Sequence, residues 1–170
     1  FLERGATLIC TLLGRWARSE HGADWVAARR VAGRVVKGQW IDRRDPNHDL
    51  CAGYLRVIDR LAGRAKHVAV ATHDTTLIVE AVGRLRAAGT SCHLELLHGL
   101  PMRQALLLAD ELELGVYIYV PYGKAYLPYA LSRVQSDPRI VWWLVRDLIS
   151  AWRPHRSRQD RFRDLVEAEI

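Results

Sequence analysis

Apolar residues along this chain gather into five short, β-branched runs: Thr7–Leu12, Arg34–Lys37, His67–Thr72, His93–Leu97 and Val116–Val120. Each is short for a helix and long enough for a buried strand. Between them the spacing changes to the rhythm of an amphipathic helix. Trp25, Ala28, Val31 and Ala32 follow the first run, and Leu55, Ile58 and Leu61 the second. Leu77, Ile78, Ala81 and Leu85 follow the third, and Leu106, Leu107 and Leu112 the fourth. Strands alternating with helices in this way predict βαβ units and a parallel sheet. With no dinucleotide-type glycine fingerprint, the pattern fits part of a (βα)8 barrel or a doubly wound sheet, and periodicity does not choose between them.

Polar residues collect where the strands are expected to end: Lys37-Gly38, Thr72-His73-Asp74, His98-Gly99, and Tyr119 through Gly123. The carboxyl ends of parallel strands form the active face of such folds, so four consecutive ends of this kind point to one site. Beyond the last strand, Pro128 suits the first turn of a helix and Asp137-Pro138 stops it. Tyr129, Ser132 and Arg133 share one face of that helix. A further helix is expected over Arg139–Trp152, with a basic helix or tail over residues 153–170.

An apolar share of 49% with 26% charged residues is a globular balance for 170 residues, long enough for one domain with a core. The net charge of +6 is carried almost wholly by arginine, scattered rather than gathered in a stripe, so nucleic acid is not the expected partner. The arginines at 153, 156, 158, 161 and 163 leave a peripheral membrane contact open, beside the plainer reading of a solvated terminal helix. Cys10, Cys51 and Cys92 share no CxxC spacing and are expected to be small buried hydrophobes in a reducing compartment. No apolar run reaches the roughly 18 residues of a membrane span. The expected location is cytoplasmic, with contact at the inner membrane as an extension. A start at Phe1 rather than Met reads as a fragment whose true beginning lies upstream.

Five motifs come in a familiar order: Arg34-Val-Val-Lys-Gly38, Ala71-Thr-His-Asp74, Leu94-Glu-Leu-Leu-His-Gly99, Tyr117-Ile-Tyr-Val-Pro-Tyr-Gly123 and Pro128-Tyr-Ala-Leu-Ser-Arg133. In this order and at these gaps the chain resembles the proline dehydrogenase family, from about Thr7 to Trp152. The resemblance implies the carboxyl-terminal part of a (βα)8 barrel, about five βα units over residues 1–152, with a late helix over the active face. It implies FAD as cofactor, hydride transfer from the carbon beside the amine of proline or a related cyclic amino acid to flavin N5, and a quinone as electron acceptor. By position it implies cofactor contacts from Arg34, Val36, Lys37, Gly38, Thr72 and His73. Substrate contacts fall to Leu97, Tyr119, Tyr129, Ser132 and Arg133. The chemistry suits these residue types. A cation near the reduced flavin stabilises its negative edge, and a planar arginine fork matches a carboxylate.

The chain departs from the family pattern at several positions. The late helix carries Ser132-Arg133 in place of an arginine pair, Ser136 in place of glutamate, Cys10 in place of glutamine and Gln39 in place of alanine. A charge-assisted hydrogen bond contributes roughly 1.5–3 kcal/mol, so the serine implies carboxylate binding weakened by about ten- to a hundred-fold. Two further readings stand beside the dehydrogenase. One is a divergent or truncated homologue without catalysis. The other is a metal-dependent hydrolase barrel built on His73, His93, Glu95 and His98, of which His93 and Glu95 point to one side of their strand.

Overall fold

The computed structural model describes residues 8–38 and 42–120. All five expected strands form, separated by helices. The elements are β1 (Ile9–Leu13), α1 (Ser19–Ala28), β2 (Ala32–Val36), α2 (Leu50–Leu61), β3 (His67–Ala71), α3 (Thr75–Ala87), β4 (Cys92–Leu97), α4 (Arg103–Glu111) and β5 (Val116–Tyr119). They belong to one unit, Phe1–His98 with Met102–Pro121. The expected late helices, the boundary after residue 152, and Gln39, Tyr129, Ser132, Arg133 and Ser136 lie outside the described residues.

The sheet is parallel throughout and its strands stand in chain order, β1-β2-β3-β4-β5. A doubly wound sheet reverses direction at a switch point, and this one does not. Each helix packs on the next, α1 on α2, α2 on α3 and α3 on α4, so all four cover one face. Parallel strands in sequence with every helix on one side are the winding of a βα barrel. Among the described residues the barrel is not closed, and β1 and β5 are the outer strands. No helix among them is long and apolar enough to cross a membrane.

Register explains which residues meet. Thr11, Arg34, Ala69 and His93 are aligned across β1 to β4, and Val36, Ala71, Glu95 and Tyr117 across β2 to β5. These residues face away from the helices. The alternate set, Leu12, Val35, Val68, Val70, Leu94 and Leu96, is buried beneath the helices with Val57, Ile58, Leu61, Ile78 and Leu85. Burying side chains of this size stabilises by about 1.5–3 kcal/mol each. Tyr54 is also fully buried, and its hydroxyl donates to the Val35 carbonyl at 3.2 Å. At its amino end α2 presses on the turn after β1. A Cβ on Gly14 would stand 2.8 Å from the Tyr54 backbone, and one on Gly53 would strike the Gly14 carbonyl.

The helix caps follow the sequence. Asp49 accepts from Ala52 N at 2.7 Å and starts α2; Asp74 accepts from Thr76 N and Leu77 N at 3.1 and 3.2 Å and starts α3. Two expected apolar faces are out of phase. Helix α1 buries Ala23, Val26 and Ala27 while Trp25 is 43% exposed beneath Arg29, because Val31 and Ala32 belong to the turn and to β2, not to the helix. Helix α4 buries Ala105 and Ala109, which leaves Leu107 43% exposed. Small residues make the buried face of this helix, which apolar periodicity weighted towards leucine misses. The cysteines are free thiols; Cys10 and Cys92 are half-buried, whereas Cys51 is exposed on α2, contrary to its expected burial.

Part of the arginine excess is accounted for on the helix layer. Arg56 and Arg60 pair with Glu20, and Arg60 and Arg64 with Asp24, joining α2 to α1. The Arg56 hydrogen bond, against some opposing burial, holds the Glu20 carboxyl below its usual range. Pairs so exposed contribute little each, about 0–1 kcal/mol.

Candidate active face

Each strand ends in a link to its neighbour, so the carboxyl ends form one continuous rim. Gly14 N donates to the Val36 carbonyl and Arg15 N to the Lys37 carbonyl, joining β1 to β2. Lys37 Nζ meets Asp74 Oδ2 at 2.7 Å, joining the end of β2 to that of β3. Leu97 N donates to His73 Nε2 at 3.0 Å, joining β4 to β3, and His98 N donates to the Tyr119 carbonyl at 2.9 Å, joining β4 to β5. Asp74 therefore serves twice, capping α3 and holding Lys37. Burial raises its pKa. The Lys37 ammonium and the Leu77 and Thr76 amides outweigh that, and the carboxyl is held below its usual range.

Of the residues singled out in the sequence, Val36, Lys37, Gly38, Thr72, His73, Leu97 and Tyr119 fall at the carboxyl ends of these strands or just past them, whereas Arg34 stands at the middle of β2. Gly38 has φ +85°, and Leu13 packs where a Cβ would stand, 3.0 Å away. Only glycine takes that turn without strain. Thr72 is buried, and its hydroxyl accepts from Asp74 N at 3.2 Å. Leu97 and Tyr119 are register partners, with Tyr119 56% exposed.

Below the rim lies a hollow of about 270 Å³ lined by Arg34, His93, Glu95, Tyr117, Ile118 and Tyr119. Its central feature is an ion pair the sequence did not single out. Arg34 on β2 reaches over β3 to Glu95 on β4, Nη2 to Oε2 at 2.6 Å. Two strand spacings separate these chains, roughly 9.5 Å. The span is open because β3 presents only Ala69 and Ala71 between them. Alternating alanines in the third strand run were the available signal. Arg34 Nε is buried and has no hydrogen-bond partner among the described residues. Such an orphaned donor costs about 1–3 kcal/mol.

From Glu95 a line of rings continues towards the amino ends of the strands. His93 Nε2 lies 3.2 Å from Glu95 Oε1, His93 Nδ1 lies 2.5 Å from His67 Nε2, and His67 Nδ1 lies 2.8 Å from Ser91 Oγ. The two imidazoles are stacked at 4.8 Å, and the Tyr117 ring meets His93 edge-on at 4.6 Å. Burial, and then the neighbouring His93, hold the His67 pKa below the ordinary imidazole value. His93 and Glu95 do share a side, as their alternation required. No group of three His, Cys, Asp or Glu among the described residues is arranged to hold a metal ion, so the hydrolase reading has no centre there.

The fold and face thus define an α/β chain with barrel-type winding and a charged, aromatic-walled hollow on its inner side. A scan against protein-family models finds no match to this chain, and a search of curated proteins finds none.

Proposed function

We propose that this chain is the carboxyl-terminal part of an FAD-dependent, proline dehydrogenase-like barrel that oxidises a cyclic amine. The observation that carries the reading is Arg34: a half-buried cation on the inner face that lines a hollow walled by Tyr117 and Tyr119. An electron-rich, planar cofactor entering the hollow would meet this cation. The residues present therefore fit a flavin, which when bound supplies the hydride acceptor. Arg34 would stabilise negative charge on it, while Lys37, steered by Asp74, would add a second cation at the rim. Leu97 and Tyr119 would exclude water beside the donor carbon, and Arg133 would take the substrate carboxylate, with Ser132 weakening that grip. A quinone as final acceptor, a location in the cytoplasm and contact with the inner membrane belong to the same proposal.

The test is spectroscopic. Purified protein loaded with FAD should show a flavin spectrum that bleaches on anaerobic addition of proline or a cyclic analogue lacking the carboxylate. A protein that leaves added FAD free in solution would end the proposal.

One observation favours a homologue without catalysis: Glu95 already neutralises Arg34. Under that reading Glu95→Gln gains flavin affinity while no amine bleaches the bound flavin. Bleaching in the unaltered protein rules this second reading out.

A further inference from the structure

We propose that Ser91, His67, His93 and Glu95 form a proton-conducting chain from the amino-terminal rim of the sheet to the hollow. The inference deepens the function proposed above and rests on it, because oxidation of an amine releases a proton as well as a hydride. The geometry is specific. Both nitrogens of both rings are engaged, each within hydrogen-bond distance of the next group in line. A neutral imidazole has one N–H and one lone pair, so a ring bonded at both nitrogens accepts a proton at one as it gives one up at the other. The depressed His67 pKa keeps that ring neutral near pH 7, the state in which it passes protons.

The ends of the line differ in the way a conduit requires. Ser91, just before β4, is exposed, whereas the His93 and Glu95 side chains are only 15% and 11% exposed. Among the described residues, Arg34 from β2 and Tyr117 from β5 are the other charged or titratable groups facing the line, and β1 offers Thr11 at that level. None of them continues the line to the amino-terminal rim.

The balance is simple. A bound flavin would supply the hydride acceptor, the amine losing the hydride of its ring C–H bond as a C=N bond forms. The N–H proton goes to the Glu95 carboxylate and then to His93 Nε2. The proton on His93 Nδ1 moves to His67 Nε2, and the one on His67 Nδ1 leaves by Ser91 to water. One proton enters the line and one leaves it; both rings are then left protonated on Nε2, and exchange of that proton with water for one on Nδ1 readies the line for the next turnover.

The first measurement needs neither cofactor nor substrate. In the whole chain labelled with 15N-histidine, a through-hydrogen-bond coupling should join His67 Nε2 to His93 Nδ1. The His67 titration should also move upward, towards the ordinary imidazole value, in His93→Asn. The second is kinetic. His67→Asn should lower kcat by about tenfold or more with KM little changed, and added imidazole should restore it. Absence of the coupling overturns the conduit whatever the turnover, and so does a kcat that His67→Asn leaves alone. Should the variant fail to fold, the coupling in the unaltered chain still decides. A coupling found in a protein that oxidises no amine with FAD bound supports the chain of bonds and removes the proposed function instead.

Discussion

Glu95 and Asp74 are both carboxylates on this face, yet each answers to a different force. Glu95 is 11% exposed and its partner Arg34 29%, so their 2.6 Å pair is only partly screened by water. Glu95→Gln keeps the shape and removes the charge, leaving Arg34 without a counterion in a half-buried position. Such a loss costs about 2 kcal/mol, read as a lower midpoint in urea with an unchanged slope. Asp74 is 33% exposed on its side chain, so its pair with Lys37 is discounted for solvent. Its cap is worth more. Asp74→Asn should therefore cost only some tenths of a kcal/mol at pH 7, and Asp74→Ala about 1 kcal/mol. The two are separated by pH. The Asp74 pKa is depressed on folding, so its charge contributes stability above the unfolded value of 3.8. That contribution fades as pH falls through the lower folded value. The difference between unaltered protein and Asp74→Asn should shrink on acidification, while the cap lost in Asp74→Ala should persist.

The elements themselves rest on small residues as much as on large ones. Ala69 and Ala71 give β3 an inner face low enough for Arg34 to cross, and Gly14 and Gly53 let α2 close on the turn after β1. Ala69 is fully buried, so Ala69→Val adds bulk where there is none to spare, although valine suits a strand. It should cost about 1–3 kcal/mol and separate Arg34 from Glu95. A parallel loss of coupling between those two charges in a double-mutant cycle would mark steric separation as the cause; full retention of that coupling would refute it. The strands and the three-and-four rhythm of α2 and α3 were legible in the sequence because large apolar side chains dominate those elements. Helices α1 and α4 were mis-phased because alanines fill the contact, and a small residue is nearly silent in a hydrophobicity pattern. Glu95 as the partner of Arg34 was hidden for a different reason. The pairing depends on register across an intervening strand, which no local spacing encodes.

At the scale of the molecule, sequence periodicity left two windings open, and the sequential strand order with helices on one face resolves them in favour of barrel-type winding. That order matters for function because it leaves one sheet face free of the four described helices, and there Arg34, His93, Glu95 and Tyr119 meet. A ligand that binds this face and not the unfolded chain must raise the melting temperature with its concentration, by about 2.7 kcal/mol of stability at a hundred times its Kd. FAD should therefore raise Tm progressively. Arg34→Met alone is a poor control, since it strands Glu95. The informative comparison sets Glu95→Gln against Arg34→Met combined with Glu95→Gln, because neither retains an unpaired carboxylate. If Arg34 donates to the cofactor, the double variant should need about ten- to a hundred-fold more FAD for the same rise in Tm, the effect of one charge-assisted hydrogen bond. Equal titrations in the two variants would mean that the cofactor, where it binds, does not touch the face on which these residues converge.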